Sequence, residues 1–221
     1  MAAAAGEPAA GERPFVSRGG EKLAGALRAT GLTVKGRLCL DVGASTGGFT
    51  DCLLRAGATA VIAVDVGYGQ LAWSLRNDPR VHVLERTNAR YLGPEMLPFR
   101  PDLAVVDVSF ISLAKVIPAV VRCLAVPHDL LVLVKPQFEV GPGRVGKGGV
   151  VRQEPLRREA VSGVAVAALE LGEAVVGAYP AEPRGPKGNR ETFLWLARPA
   201  PAAAAVEEEG VRQLVARVEG I

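Results

Sequence analysis

The sequence holds only two histidines and three cysteines in 221 residues. Cys39, Cys52 and Cys123 are odd in number, lie far apart and form no C-x-x-C pair. No disulfide framework is expected from them, and no Cys/His metal site. They read as small buried apolar side chains in a reducing cytoplasm. His82 and His128 stand in a strand and a turn, with no ligand cluster around them. No apolar run approaches the ~20 residues of a membrane-spanning helix; LLVLV is stopped by Asp129 and Lys135. The start, MAAAAGEPAAGERP, lacks a basic leader and a long apolar block, so no secretory signal is read there. Charge of one sign is not in excess either. The 26 Lys and Arg against 23 Asp and Glu leave +3, which permits a polyanionic partner without requiring one.

What the chain does have is a core. It is 49% hydrophobic and 22% charged, the balance of one soluble domain of ordinary size. Residues 1–14, rich in Ala, Gly and Pro, are expected to be a disordered tail. A domain over 15–199 and a linker with a C-terminal helix over 200–221 follow. Buried strands are predicted at 37–42, 59–66, 80–85, 101–110 and 129–136, with helices at 47–57, 69–77, 112–124 and 155–172. Pro118 is a candidate kink in the third of these. Two closing strands, 173–180 and 191–198, have no helix between them. Continuous apolar strands alternating with helices predict an α/β fold, a parallel sheet covered on both faces with an antiparallel edge strand. Such sheets bind ligands at the carboxyl ends of their strands.

The stretch DVGASTGGFT at 41–50 follows the first strand. Asp41, Gly43, Ser45, Gly47, Gly48 and Phe49 there form a turn that lets backbone N–H groups approach a ligand at a helix N-terminus. Asp65 ends the second strand, 24 residues after Asp41, where an acid accepts ribose hydroxyls. Dinucleotides and S-adenosylmethionine both fit this much. The loop lacks the second glycine of G-x-G-x-x-G, which serves a pyrophosphate. The pattern resembles the (Asp/Glu)-x-Gly-x-x-x-Gly motif of class I S-adenosylmethionine-dependent methyltransferases, whose Rossmann-like seven-stranded sheet the element order also resembles. Asn88, after the third strand, is a candidate adenine contact. Asp107 and Lys135 end the clean apolar runs LAVVD and LLVLVK; a desolvated lysine beside a carboxylate can take or polarise a hydroxyl proton.

Six segments in order carry a more specific resemblance: SRGGEKL from Ser17, DVGASTGGFTD from Asp41, ERTN from Glu85, DVSFIS from Asp107, KPQFE from Lys135 and VGKGGVVR from Val145. Together they resemble the TlyA (hemolysin A) family of FtsJ-like ribosomal RNA 2′-O-methyltransferases over roughly 15–198. The resemblance implies S-adenosylmethionine as cofactor, ribosomal RNA or ribosomal subunits as partner, a cytidine ribose as target and a cytoplasmic location. It implies a tetrad of Lys22, Asp107, Lys135 and Glu191 around the 2′-hydroxyl, with Phe110 lining the cofactor pocket. TlyA-type proteins usually carry an S4-like RNA-binding domain before SRGG. Here only fourteen residues precede Phe15, so a chain without that module is expected, through a misplaced gene start or a different mode of RNA recognition.

RNA contacts are expected from clustered cations. Arg144, Lys147, Arg152, Arg157 and Arg158 follow the fifth strand; Arg184, Lys187 and Arg190 precede Glu191; Arg13, Arg18 and Lys22 lie near the start. Rival readings are weaker. GPGRVGKG at 141–148 nearly matches a phosphate loop but lacks the final Ser/Thr and follows the wrong strand. A membrane-active hemolysin would call for a spanning segment or a secretion signal, and neither is read in this sequence. An amino-group methylase would show prolines after Asp107. A non-catalytic RNA- or ribosome-binding protein would not need the tetrad.

Overall fold

The computed structural model describes residues 14–199 together with Gly210. Apart from Pro14 and Gly210, the expected N-terminal tail and C-terminal linker and helix lie outside the described residues. Helix α1 spans Arg18–Thr30. The Ser17 hydroxyl caps it by accepting from Gly19 N–H, and Gly31, at φ 70°, closes it in the left-handed conformation, the usual glycine stop. The parallel strands are β1 (Leu38–Val42), β2 (Ala60–Val64), β3 (Val81–Leu84), β4 (Leu103–Val106) and β5 (His128–Val134). Between and after them run α2 (Gly48–Arg55), α3 (Trp73–Arg76), α4 (Ile117–Cys123), α5 (Pro136–Glu139) and α6 (Glu154–Glu170). The chain closes with β6 (Ala174–Ala181) and β7 (Glu191–Arg198).

The seven strands form one sheet in the order β3-β2-β1-β4-β5-β7-β6. β7 enters antiparallel between β5 and β6, so the expected closing pair forms the sheet edge, its inner member being the reversed one. Side chains alternate across the pleat. Leu40, Val42, Ala104, Val106 and Val132 pack with α4 and α6 on one face. Cys39, Val61, Leu103, Val105 and Leu131 pack with α1 and α2 on the other. Both faces are dry, which is why the strands read as unbroken apolar runs. The strand order reverses between β1 and β4, and that switch point opens a crevice at their carboxyl ends.

Three elements differ from expectation. The helix read over 69–77 shrinks to the single turn of α3: Gly69 takes the left-handed φ of 70°, outside the helical region, and its N–H donates to Glu85 Oε1 at 2.9 Å. Pro118 makes no kink. It lies in the first turn of α4, after a separate 3₁₀ turn at Leu113–Lys115, where a missing N–H costs nothing. The fourth strand stops at Val106, and Phe110, at φ 63°, turns the following loop.

Candidate active site

Three adjoining cavities lie along the carboxyl ends of the strands. A polar one of about 300 Å³ lies between the N-terminus of α1 and the glycine loop. A second, of about 560 Å³, lies over β2, β3 and β4; a third, of about 420 Å³, lies beyond β5. Gly43, Ser45 and Asp107 wall both the first and second; Lys135 and Glu191 wall both the first and third; Ser109 and Phe110 wall both the second and third. Asp107 and Lys135 thus stand where all three meet.

The two chain ends that carry them are adjacent because β4 pairs with β1 on one side and β5 on the other. Lys135 Nζ forms an ion pair with Asp107 Oδ1 and donates to Ser109 Oγ at 3.0 Å. A second pair stands behind it: Lys22 Nζ lies 2.5 Å from Glu191 Oε2, with both side chains buried. A fold thus brings together four residues from α1, the β4 loop, the end of β5 and the start of β7. Gly43 permits the approach, since a Cβ there would lie 2.9 Å from the Asp107 carbonyl carbon, and its φ is 89°.

The residues singled out around the glycine loop divide by location. Gly43, Ser45, Gly48 and Phe49 wall the polar cavity. Gly47 faces away, toward Leu71 and Leu75. Asp41 lies beneath the loop, wholly buried, and its Oδ2 accepts from Thr50 Oγ1 at 2.6 Å. Burial pushes its carboxyl up to about 7; the neighbouring Asp107 and Asp65 charges add to this, and the Thr50 hydrogen bond opposes it. Asp65 walls the second cavity and accepts from Ser45 N–H at 2.8 Å as well as from Gly67 N–H. Asn88 walls it too, while its side chain accepts from Arg90 N–H at 3.1 Å. Phe110 is 91% exposed, its ring centroid 5.1 Å from that of Phe138.

The basic residues divide as well. Arg18, Lys147, Arg152, Arg184, Lys187 and Arg190 are exposed, with Arg18 on the first cavity and Lys187 on the third. Arg157 is turned inward and donates to the Arg152 carbonyl, so it leaves the expected basic rim. Lys22 leaves it too, buried against Glu191. Arg144 pairs with Glu159 and Arg158 with Glu154. Sequence reasoning passed over Ser109 and Glu139 as individual residues. Glu139 accepts from Ser112 Oγ at 2.6 Å and Leu113 N–H at 2.9 Å, and burial holds its carboxyl above the usual range. The only local signal for Ser109 is its place two residues after Asp107. Among the described residues, no three His, Cys, Asp or Glu side chains gather as a metal site. No helix there is long and apolar enough to cross a membrane.

A sheet of this order, with a glycine loop after β1 and an acid after β2, defines the class I methyltransferase fold. A solved S-adenosylmethionine-dependent methyltransferase from Mesorhizobium loti shares it at a TM-score of 0.59 and 17% identity, over 79% of this chain and 96% of that one. The family is narrower. The model of the FtsJ-like methyltransferases matches residues 15–198, and the chain belongs to that family. It is 61% identical over 185 residues to the 16S/23S rRNA (cytidine-2′-O)-methyltransferase TlyA of Mycobacterium tuberculosis, covering 84% of this chain and 69% of that protein. It is 43% identical to a protein of Brachyspira hyodysenteriae named Hemolysin A, over 80% of this chain and 74% of that one. A solved structure from Streptococcus thermophilus, described as a hemolysin, superposes at a TM-score of 0.86 with 39% identity, over 94% of this chain and 75% of that one.

Proposed function

We propose that this chain methylates a ribose 2′-hydroxyl of ribosomal RNA, with S-adenosylmethionine as donor and a cytidine as target. The observation that carries the reading is the Lys135–Asp107 ion pair at the junction of three cavities. One cavity suits a nucleoside, one a small polar group and one a nucleotide of the substrate.

The residues present fit the cofactor. Asp65 has lone pairs to spare after its two backbone contacts, since a carboxylate offers about four acceptor positions. Val66, Val108 and Ile111 give the second cavity an apolar wall for an adenine ring. The glycine loop and the Ser17-capped start of α1 present backbone to the polar cavity, where a carboxylate is favoured. When bound, S-adenosylmethionine supplies an electrophilic sulfonium methyl group.

The chain's own residues do the rest. A ribose hydroxyl is a weak nucleophile at neutral pH, so its proton must be drawn off as the oxygen attacks. Lys135 is the group placed to take that proton: its ammonium first gives one proton up to solvent, and the free amine then receives the hydroxyl proton as the oxygen attacks. Asp107 aims the lysine and offsets its charge. Lys22 and Glu191, neutralising each other in the wall behind, fix the start of α1 and the start of β7 around the same point. Exposed Arg18, Lys147, Arg152, Arg184, Lys187 and Arg190 supply phosphate contacts on the rim, positioning the RNA without reading its sequence. Replacing Lys135 with Ala should lower methyl transfer roughly 10²–10⁴-fold while S-adenosylmethionine binding, followed by calorimetry, stays within a few-fold of the original. Equal activity in the variant would remove Lys135 from the reaction.

A further inference from the structure

We propose that Ser109 is a positioning residue for Lys135: its hydroxyl and the Asp107 carboxylate together fix the direction of the Lys135 ammonium. This rests on the reading of Lys135 as the group that meets the ribose hydroxyl. A lysine side chain has four rotatable bonds, and one acceptor leaves its ammonium free to swing around that partner. Here there are two. Nζ pairs with Asp107 Oδ1 and donates to Ser109 Oγ at 3.0 Å. Both acceptors come from one loop, two residues apart, and the lysine arrives from the neighbouring strand. Of the three N–H groups of an ammonium, one is committed to Ser109, while the Asp107 carboxylate holds the charge from a second side. Another is left for the cavities that Lys135 walls.

The loop geometry supports the assignment. Phe110, immediately after Ser109, has φ 63°, a conformation that is costly for a bulky residue and is held only where its surroundings impose it. Its ring rests on Phe138 of α5, the turn that follows Lys135. Glu139, also on α5, accepts from Ser112 Oγ and Leu113 N–H. The loops after β4 and β5 are therefore joined on both sides of Ser109. Ser109 itself is exposed and walls the second and third cavities, so the core does not need its hydroxyl. That leaves Lys135 as its partner of consequence.

The test compares Ser109→Ala and Ser109→Thr with the unaltered chain. The first readout needs no reaction: proton–nitrogen spectra of the lysine ammonium groups, with the Lys135 signal identified by its loss in Lys135→Arg. The Lys135 ammonium should exchange with water more slowly than surface lysines. Ser109→Ala should speed that exchange several-fold, and Ser109→Thr should restore it. In methyl transfer, Ser109→Ala should lower kcat about tenfold at unchanged melting temperature and with KM for RNA and cofactor within twofold; Thr should recover most of it. Unaltered exchange in Ser109→Ala overturns the proposal. So does a raised KM at constant kcat, which would make Ser109 a substrate contact. If the unaltered chain transfers no methyl group, the reading of the reaction fails, and the exchange rates still decide the role of Ser109.

Discussion

Asp41 shows what burial does to a strand-end acid. The pleat sends it to the same face as Cys39, beneath the glycine loop. There Thr50 serves Oδ2, and Oδ1 has no protein partner among the described residues. Its carboxyl is raised from an ordinary 3.8 to about 7. A raised folded value for an acid means that ionisation opposes folding. The stability it contributes is full below the unfolded value and is lost as pH climbs to about 7. The effect is roughly 4 kcal/mol at most across that window. Asp41→Asn should flatten this dependence, so that denaturant unfolding at pH 5 and pH 8 differs less in the variant than in the original chain; equal differences would contradict the burial argument. The sequence marks Asp41 and Asp65 alike as strand-end acids. It does not separate them, because strands buried on both faces show no alternation from which to read the direction of a side chain. Ser109 is illegible for a related reason: its role depends on a lysine 26 residues away.

At the scale of elements, the site depends on close packing between short pieces. α1 crosses the start of α2 where Gly20 meets Gly48. A Cβ on Gly48 would lie 2.8 Å from Gly20 N, and backbone there has nowhere to move. Gly48→Ala should therefore push α1 off α2, lower the melting temperature and weaken S-adenosylmethionine binding at least tenfold by calorimetry. Asn189 ties two loops of the third cavity: its Oδ1 accepts from Val151 N–H at 2.9 Å and its Nδ2 donates to Gly149 O at 2.8 Å. It is buried, so Asn189→Ala strands both partners and should cost about 2 kcal/mol in unfolding experiments. The strands and the helices α2 and α6 were legible from apolar runs. The short turns were not. α3 and α5 are four residues each, below the length at which a helical period can be seen, and their limits are set by side-chain hydrogen bonds from other loops.

For the whole molecule, the order of strands explains why residues scattered from 22 to 191 converge. β4 is placed between β1 and β5, and β7 folds back beside β5, so the loops after β1, β4 and β5 and the start of β7 share one rim. Alternating strands and helices made this topology legible, and six motifs in chain order made the family legible; pairwise contact between the tetrad residues appears only in three dimensions. Under the proposed function, the exposed cations around that rim would carry the RNA affinity despite a net charge of +3. Removing Arg184 and Lys187 together should reduce the slope of log affinity against log salt by about 1.5, the release expected for two phosphate contacts; an unchanged slope would place the RNA elsewhere. The central claim is tested most directly by transfer of labelled methyl from S-adenosylmethionine to intact ribosomal subunits, followed by alkaline hydrolysis of the RNA. The account predicts label in an alkali-resistant dinucleotide containing a single cytidine ribose, absent with Lys135→Ala. Label that alkali releases with ordinary mononucleotides, or transfer that persists without Lys135, would contradict it.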